Sequence, residues 1–319
     1  MKKILCVLMS CLLFVMAGCS GHSKNLKFGA ADIGGVYYSF ASTFTQLADK
    51  EIDGYTFETK TTAGSVANLR LISDGDIDLA IVQADLLSDA YNATGTFADK
   101  KYQKGYKAVA SLYTECCQIV VRKDSGITGI DDLINKTVSV GASESGSEKN
   151  AEQILKMSGI TDELINKVNM DYTEAAEKLK AGEIDAFFCT AGTRTEVIGQ
   201  LSKECDICLI SLDDKCIDKM LSAYSLCEKY TIPAGTYNGQ DSDVTTIGVK
   251  AVLIAKQSLS DDVIKNVTKT IYEHADDFKY ATSLDISFDI NTAADGVDIP
   301  FHSGAAAYYT ERGINVLTE

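Results

Sequence analysis

Apolar positions along the chain switch repeatedly between two periods, and the switches mark out elements. Lys27–Ala30 reads as a short strand. Phe40, Phe44 and Leu47 then recur at i, i+4 and i+7, the spacing of one helix face. Tyr55, Phe57 and Thr59 alternate as a strand, and Val66, Leu69 and Ile72 restore helical spacing until Gly75, which is placed to end that helix. Asp78–Gln83 reads as a buried strand. The order strand, helix, strand, helix, strand predicts parallel pairing with crossover helices. Two long apolar stretches, Tyr106–Arg122 and Thr245–Lys256, predict extended strands that cross between two halves. Near the end, Ile264, Val267, Ile271 and Phe278 hold one face of a final helix, with Leu259 and Ile264 bracketing the Ser260 cap as a hydrophobic staple would.

The second half repeats the first. Phe28-Gly-Ala-Ala-Asp-Ile-Gly34 resembles Val140-Gly-Ala-Ser-Glu-Ser-Gly146 at an offset of 112. Gly75-Asp-Ile-Asp-Leu-Ala-Ile-Val-Gln83 resembles Gly182-Glu-Ile-Asp-Ala-Phe-Phe-Cys-Thr190 at an offset of 107. The same order at nearly the same offset points to duplication, or to convergence on one lobe plan, over chance likeness of α/β units. Two such lobes predict a cleft, because ligands in open parallel sheets sit beyond the carboxyl ends of the strands. Those ends are Ala30–Gly35, Thr61–Ser65, Gln83, Gly141–Ser147 and Thr190–Thr193. Gly, Ser, Thr, Gln and Tyr dominate them. Such residues hold an anion by dipoles and backbone N–H groups rather than attack it.

Composition narrows the class. The chain has 319 residues, 45% apolar and 24% charged, which is globular and long enough for two cores. Thirty basic against forty-five acidic side chains give a net charge of −15 and argue against nucleic-acid binding. The first residues read as an address: Lys2 and Lys3, then a 14-residue apolar stretch from Ile4 to Ala17, then Met16-Ala-Gly-Cys19. The Cys looks like that of a bacterial lipobox, acylated before cleavage, with two or more acyl chains giving stable anchoring. Residues 1–18 are then a signal peptide and 19–25 the lipidated Cys19 and its tether. Loss of the signal takes away Lys2 and Lys3 and moves the charge from −15 to −17.

Seven cysteines remain beyond Cys19: Cys116, Cys117, Cys189, Cys205, Cys208, Cys216 and Cys227. An odd number cannot all pair internally. Cys205-x-x-Cys208 has no second Cys or His pair at ligand spacing, so no metal site or cofactor is expected. Buried free thiols are the favoured reading for most of the seven.

Ligand contacts are expected from Gly35, Tyr37, Thr62, Ser65, Gln83, Ser145, Ser147, Gly192, Thr193 and Arg194. Tyr37 either walls the pocket or is a core aromatic. Ser65 offers a hydroxyl and an N–H to an anion while serving as a helix cap. Gln83 ends a buried strand, an odd place for a long amide unless it faces a cleft. Ser145 and Ser147 flank Gly146 ahead of a helix running to Met157 and form the strongest anion site in the chain. Glu144 and Glu148 carry the wrong sign for a carboxylate and are expected at the surface. Arg194 is either a fork for a ligand carboxylate or a solvated helix residue.

Gly34-Gly-Val-Tyr-Tyr-Ser39, Thr61-Thr-Ala-Gly-Ser-Val-Ala-Asn-Leu-Arg-Leu-Ile72, Asp78-Leu-Ala-Ile-Val-Gln83, Gly141-Ala-Ser-Glu-Ser-Gly-Ser147, Ile184-Asp-Ala-Phe-Phe188 with Ala191-Gly192, and Pro300-Phe-His-Ser-Gly-Ala-Ala-Ala-Tyr-Tyr309 stand in one order along the chain. Together they resemble the TAXI family of solute-binding subunits of TRAP transporters. The resemblance runs from about residue 26 to the C-terminus. It implies an α/β fold of the type II periplasmic-binding-protein kind, two lobes joined by two crossover strands. Lobe 1 is then 26–115 plus 246–319 and lobe 2 is 116–245. It also implies a small anionic solute, a carboxylate or glutamate-like amino acid, and a TRAP-type membrane permease subunit as partner. Arg194 stands where relatives often carry Pro, and His302-Ser303-Gly304 where they often have His-Pro-Gly.

The expectation is a monomeric, non-catalytic, extracytoplasmic receptor tethered to the cell membrane. A sensory lipoprotein of the same fold is the alternative. A hydrolase is the lesser one, since Gly141-Ala-Ser143-Glu-Ser145 lacks the final Gly of a nucleophile elbow and only His274 and His302 lie in the folded body.

Overall fold

The computed structural model describes residues 23–99, 105–283 and 288–319. The leader, Cys19 and the first residues of the tether lie outside them. Strand β1 (Lys24–Gly29) begins three residues before the predicted strand and takes up the end of the predicted tether. After β1 come α1 (Val36–Glu51), β2 (Tyr55–Lys60), α2 (Ser65–Asp74), β3 (Leu79–Gln83) and α3 (Ala84–Asn92). Every residue of β3 is buried, as expected of a strand covered on both faces by helices. Phe40 and Phe44 turn the predicted face of α1 inward, where Phe40 stacks on Phe278 with centroids 4.4 Å apart.

The second half builds the same unit with shorter strands: β5 (Thr137–Ser139), α4 (Gly146–Met157), β6 (Asn166–Val168), α5 (Tyr172–Ala181) and β7 (Ala186–Ala191). In the first unit β1 pairs parallel with β2 and β3; in the second β5 pairs parallel with β6 and β7. Gly75 and Gly182 end α2 and α5 alike, each left-handed with its N–H returned to two carbonyls of the last turn. A side chain there would meet the left-handed penalty, so the repeated Gly is a backbone requirement.

Strands β4 (Tyr106–Arg122) and β10 (Val244–Lys256) join the units, within one residue of their predicted bounds. The sheet order is β2-β1-β3-β10-β4-β7-β5-β6. β10 runs antiparallel to β3 and β4, and β4 antiparallel to β7. Cys116 is the residue where β4 changes neighbours: it pairs with Gly248 of β10 on one edge and Ala191 of β7 on the other. Helix α6 (Glu196–Glu204), strand β8 (Ile207–Leu209), helix α7 (Asp214–Ala223) and strand β9 (Cys227–Ile232) complete the second half; β8 pairs with β4 and β9 with β10.

One core surrounds β1, β3, the first half of β4 and the last half of β10. In the second half, neighbours on a strand part to opposite faces: Phe188 and Ile119 join one cluster, Phe187 and Val120 the other. The chain returns to the first lobe through α8 (Asp261–Glu273), α9 (Ala275–Thr282) and α10 (Ser303–Thr310). The predicted single final helix is thus two, broken at His274, whose ring lies between Glu51 and Asp277 at 2.6 and 2.9 Å. All seven described cysteines are free, and five are buried. Among the described residues no helix is long and apolar enough to cross a membrane.

Candidate functional site

The carboxyl ends of the two parallel units face each other. Between them lies a cavity of about 30 Å³, walled by both lobes and by Glu115 of β4. That is room for about two water molecules, so the lobes must part to admit any larger solute. Three helices begin at its wall: α1 at Gly35 and Val36, α2 at Gly64 and Ser65, and α4 at Ser145 and Gly146. Their first-turn N–H groups lack intrahelical partners, and their dipoles make that wall locally positive.

Six of the ten expected contacts lie on this wall: Gly35, Tyr37, Ser65, Gln83, Ser145 and Ser147. Their hydroxyls are partly committed to the fold. Ser65 is not the cap of α2, a place taken by Gly64; its Oγ accepts the Gln83 N–H at 3.1 Å. Ser145 caps α4 by accepting the Glu148 N–H at 3.0 Å. Ser147 Oγ accepts the Thr190 N–H at 2.8 Å and lies 2.6 Å from the Tyr172 hydroxyl. Gln83 is 1% exposed, and its Oε1 has no hydrogen-bond partner; Thr190 Oγ1 is also buried and unpartnered. Unsatisfied buried acceptors are rare and call for a reason.

The other four stand back. Thr62 Oγ bonds the Ala30 carbonyl at 3.0 Å and Asn68 Oδ1 at 2.7 Å, tying the end of β1 to α2. Helix α3 starts directly after Gln83, but four residues separate β7 from α6. That loop carries Gly192, Thr193 and Arg194 away from the lining. The Gly192 carbonyl accepts the Thr195 hydroxyl at 2.8 Å, and Thr193 Oγ1 lies 2.7 Å from the Tyr230 hydroxyl on β9. Arg194 is exposed, with φ of 69°.

Sequence reasoning passed over Asp32, Glu115 and Tyr172. Asp32 reaches from the first lobe to the second, where burial and the nearby Asp171 raise its carboxyl to about 6 against the Tyr172 N–H. Glu115 is 3% exposed and accepts the Tyr37 hydroxyl at 2.7 Å. Burial pushes it up to about 8, although hydrogen bonds from Tyr37 and Gln83 favour its charged form. Glu115 sits inside an apolar strand, and only its place beside the change of partners at Cys116 distinguishes it.

The lobes also touch at the rim. The Ala67 N–H of α2 donates to the Glu144 carbonyl at 3.0 Å, and Arg70 forks onto the Glu144 carboxylate at 3.1 and 2.8 Å. Glu144 is therefore a bridging residue rather than a solvated one. Glu148 stays within its own lobe, accepting the Glu144 N–H and the Asn169 amide. Gly146 lies against Gln83: a Cβ there would stand 2.4 Å from Gln83 Oε1.

Among the solved structures that resemble this fold are the following three. One is a protein from Bordetella bronchiseptica RB50, with TM-score 0.53 and 17% identity over 82% of this chain and 76% of that one. Another is PhnD1 from Prochlorococcus marinus (MIT 9301) in complex with methylphosphonate, with TM-score 0.53 and 13% identity over 92% and 91%. A third is an ancestral arginine-binding protein bound to arginine, with TM-score 0.50 and 15% identity over 81% and 98%. At these identities the likeness is one of fold, the two-lobed α/β fold of periplasmic solute-binding proteins. Residues 28–313 match the NMT1-like family, and the chain belongs to it.

Proposed function

We propose that this chain is a non-catalytic receptor that captures a small carboxylate or amino-acid-like solute between its lobes. One observation carries the reading: helix N-termini from both lobes meet at one interlobe cavity, beside the unpartnered acceptors Gln83 Oε1 and Thr190 Oγ1. Contacts that bridge both lobes favour the closed form, so solute and closure are coupled. The lining described here contains no His or Cys to serve as base or thiol nucleophile. Ser143, the near-miss elbow serine, is exposed.

On the same reading the lobes divide as 26–115 plus 246–319 and 116–245, and the receptor works as a monomer. Lipid on Cys19 tethers it outside the cell membrane, and the TAXI-like motifs make its partner a TRAP-type permease subunit. The test is a thermal-shift and calorimetric panel of small carboxylates and amino acids on the purified chain. Saturable binding by one class is expected, and silence across the panel overturns the reading. Delivery is tested by uptake into vesicles carrying a TRAP-type permease, with and without the receptor.

A further inference from the structure

The cavity has an imbalance of charge that a simple carboxylate does not explain. Among the described residues that line it are two carboxyl groups, Asp32 and Glu115, and no Lys, Arg or His. A dicarboxylate held there would bring two more acidic groups into a closed space that already holds Asp32 and Glu115 and no side-chain cation. Yet the cavity is suited to an anion at the N-termini of helices of 16, 10 and 12 residues, beside the buried Thr190 hydroxyl, which can donate to one. Two groups of the lining call instead for a donor: Gln83 Oε1 has none, and Glu115 holds one oxygen against the Tyr37 hydroxyl.

We propose that the cleft selects a zwitterion, an α-amino acid, seating its carboxylate on the helix N-termini and its ammonium on Glu115. The proposal rests on the receptor reading above and names the substrate class for it. Glu115 is then the specificity-determining residue: its carboxylate is desolvated, placed where the two lobes exchange strands, and awaiting a positive partner. Without a cation such a group keeps its proton, in line with its elevated titration. The groups that face it are Tyr37 of α1, Gln83 of β3, Asp85 of α3, Tyr113 and Cys116 of β4, Tyr172 of α5 and Cys189 of β7, none of them cationic. An ammonium entering below pH 8 keeps its own protons and displaces the one on Glu115, which leaves to solvent.

The test uses the full-length chain in detergent, titrated with each of the twenty L-α-amino acids and with their 2-hydroxy and 2-oxo counterparts. An amino acid is expected to bind about 100-fold more tightly than its 2-hydroxy counterpart. In Glu115→Gln the amino acid should weaken about 100-fold while the 2-hydroxy acid changes little, erasing the preference. Equal affinity for both classes in the wild type, or equal losses for both in Glu115→Gln, overturns the proposal and leaves the receptor reading standing. Should Glu115→Gln not fold, the wild type still decides. Heats measured at pH 7 in two buffers of different ionisation enthalpy should report close to one proton released per amino acid, and no release overturns the proposal. Binding of neither class overturns the receptor reading itself.

Discussion

The inner strands of the two parallel units end at the same cleft with the same problem, a buried terminal N–H, and solve it from different helices. In the first lobe the Gln83 N–H goes to Ser65, on the helix that follows the outer strand β2. In the second the Thr190 N–H goes to Ser147, on the helix that follows the middle strand β5. The lobes also part company after those strands. α3 leaves Gln83 at once and keeps the amide at the cavity, whereas a four-residue loop follows β7 and is drawn off by Tyr230 and Tyr237. A repeated α/β plan thus reproduces geometry without reproducing which residue does the work.

The largest expected effect lies where the units share a residue. Folded, Glu115 keeps its proton to about pH 8; unfolded, it loses it near 4.5. Between those values the folded form holds a proton the unfolded form has released, so stability falls as pH rises through the window. Below pH 4.5 the contribution is complete, and above 8 it is gone. Asp32 and Asp85, both raised to about 6, act in the same direction and are spent by that pH. Glu115→Gln removes a burden of the order of a few kcal/mol at pH 9 and almost nothing at pH 4.5. Melting curves of the two proteins should therefore converge in acid and separate by several degrees in base. Parallel curves would show Glu115 to be ionised in the fold throughout.

Next comes closure itself. In Gly146→Val the first turn of α4 would carry bulk into the Gln83 amide, with the Cβ alone 2.4 Å from Oε1. Gln83 must swing aside or the lobes stay apart, at about 1–3 kcal/mol against the closed form. Solute affinity should fall about 5- to 150-fold, with a larger radius in small-angle scattering. Gly199→Val on α6, with nothing within 4 Å, is the control. Equal behaviour of the two would mean that α4 and β3 do not meet in solution.

Ser65→Ala and Ser147→Ala probe the displaced equivalence directly. Each strands one buried strand-terminal N–H, costing about 1–3 kcal/mol of stability. The two losses should be alike if the hydroxyls do the same job. Each hydroxyl also meets a tyrosine hydroxyl, Ser65 that of Tyr37 and Ser147 that of Tyr172 at 2.6 Å, so Ser147→Ala should exceed Ser65→Ala only by the closeness of its contact. Chemical denaturation of both variants measures the difference.

Much of the frame was legible because it rests on period and punctuation. The 3.6-residue spacing of Phe40, Phe44 and Leu47, the terminal Gly75 and Gly182, and the two long apolar strands are local signals. The helix-terminus residues of the site were legible for the same reason, as they follow strands in a readable order. Tyr172 and Asp32 were not, since their roles arise only when two lobes close on each other. Arg194 illustrates the converse: its charge suggested a ligand fork, but the length of the loop after β7 decides where it points, and residue type carries no trace of that length's consequence.

The smallest effect is expected at the rim. Arg70 and Glu144 join the lobes by a bidentate pair, yet their side chains are 39% and 40% exposed. Water screens such pairs, which contribute about 0–1 kcal/mol. The Ala67 N–H still reaches the Glu144 carbonyl when the side chains are changed. Arg70→Gln should therefore weaken solute binding by no more than about fivefold, less as salt is raised. The loss belongs in a faster dissociation, because the pair exists only once the lobes have met. A loss well beyond that range, or one indifferent to salt, would move the main latch from the buried wall of the cavity to its rim. The contrast between a desolvated Glu115 and a half-exposed, Arg70-paired Glu144, two carboxylates at one lobe junction, would then have to be drawn the other way.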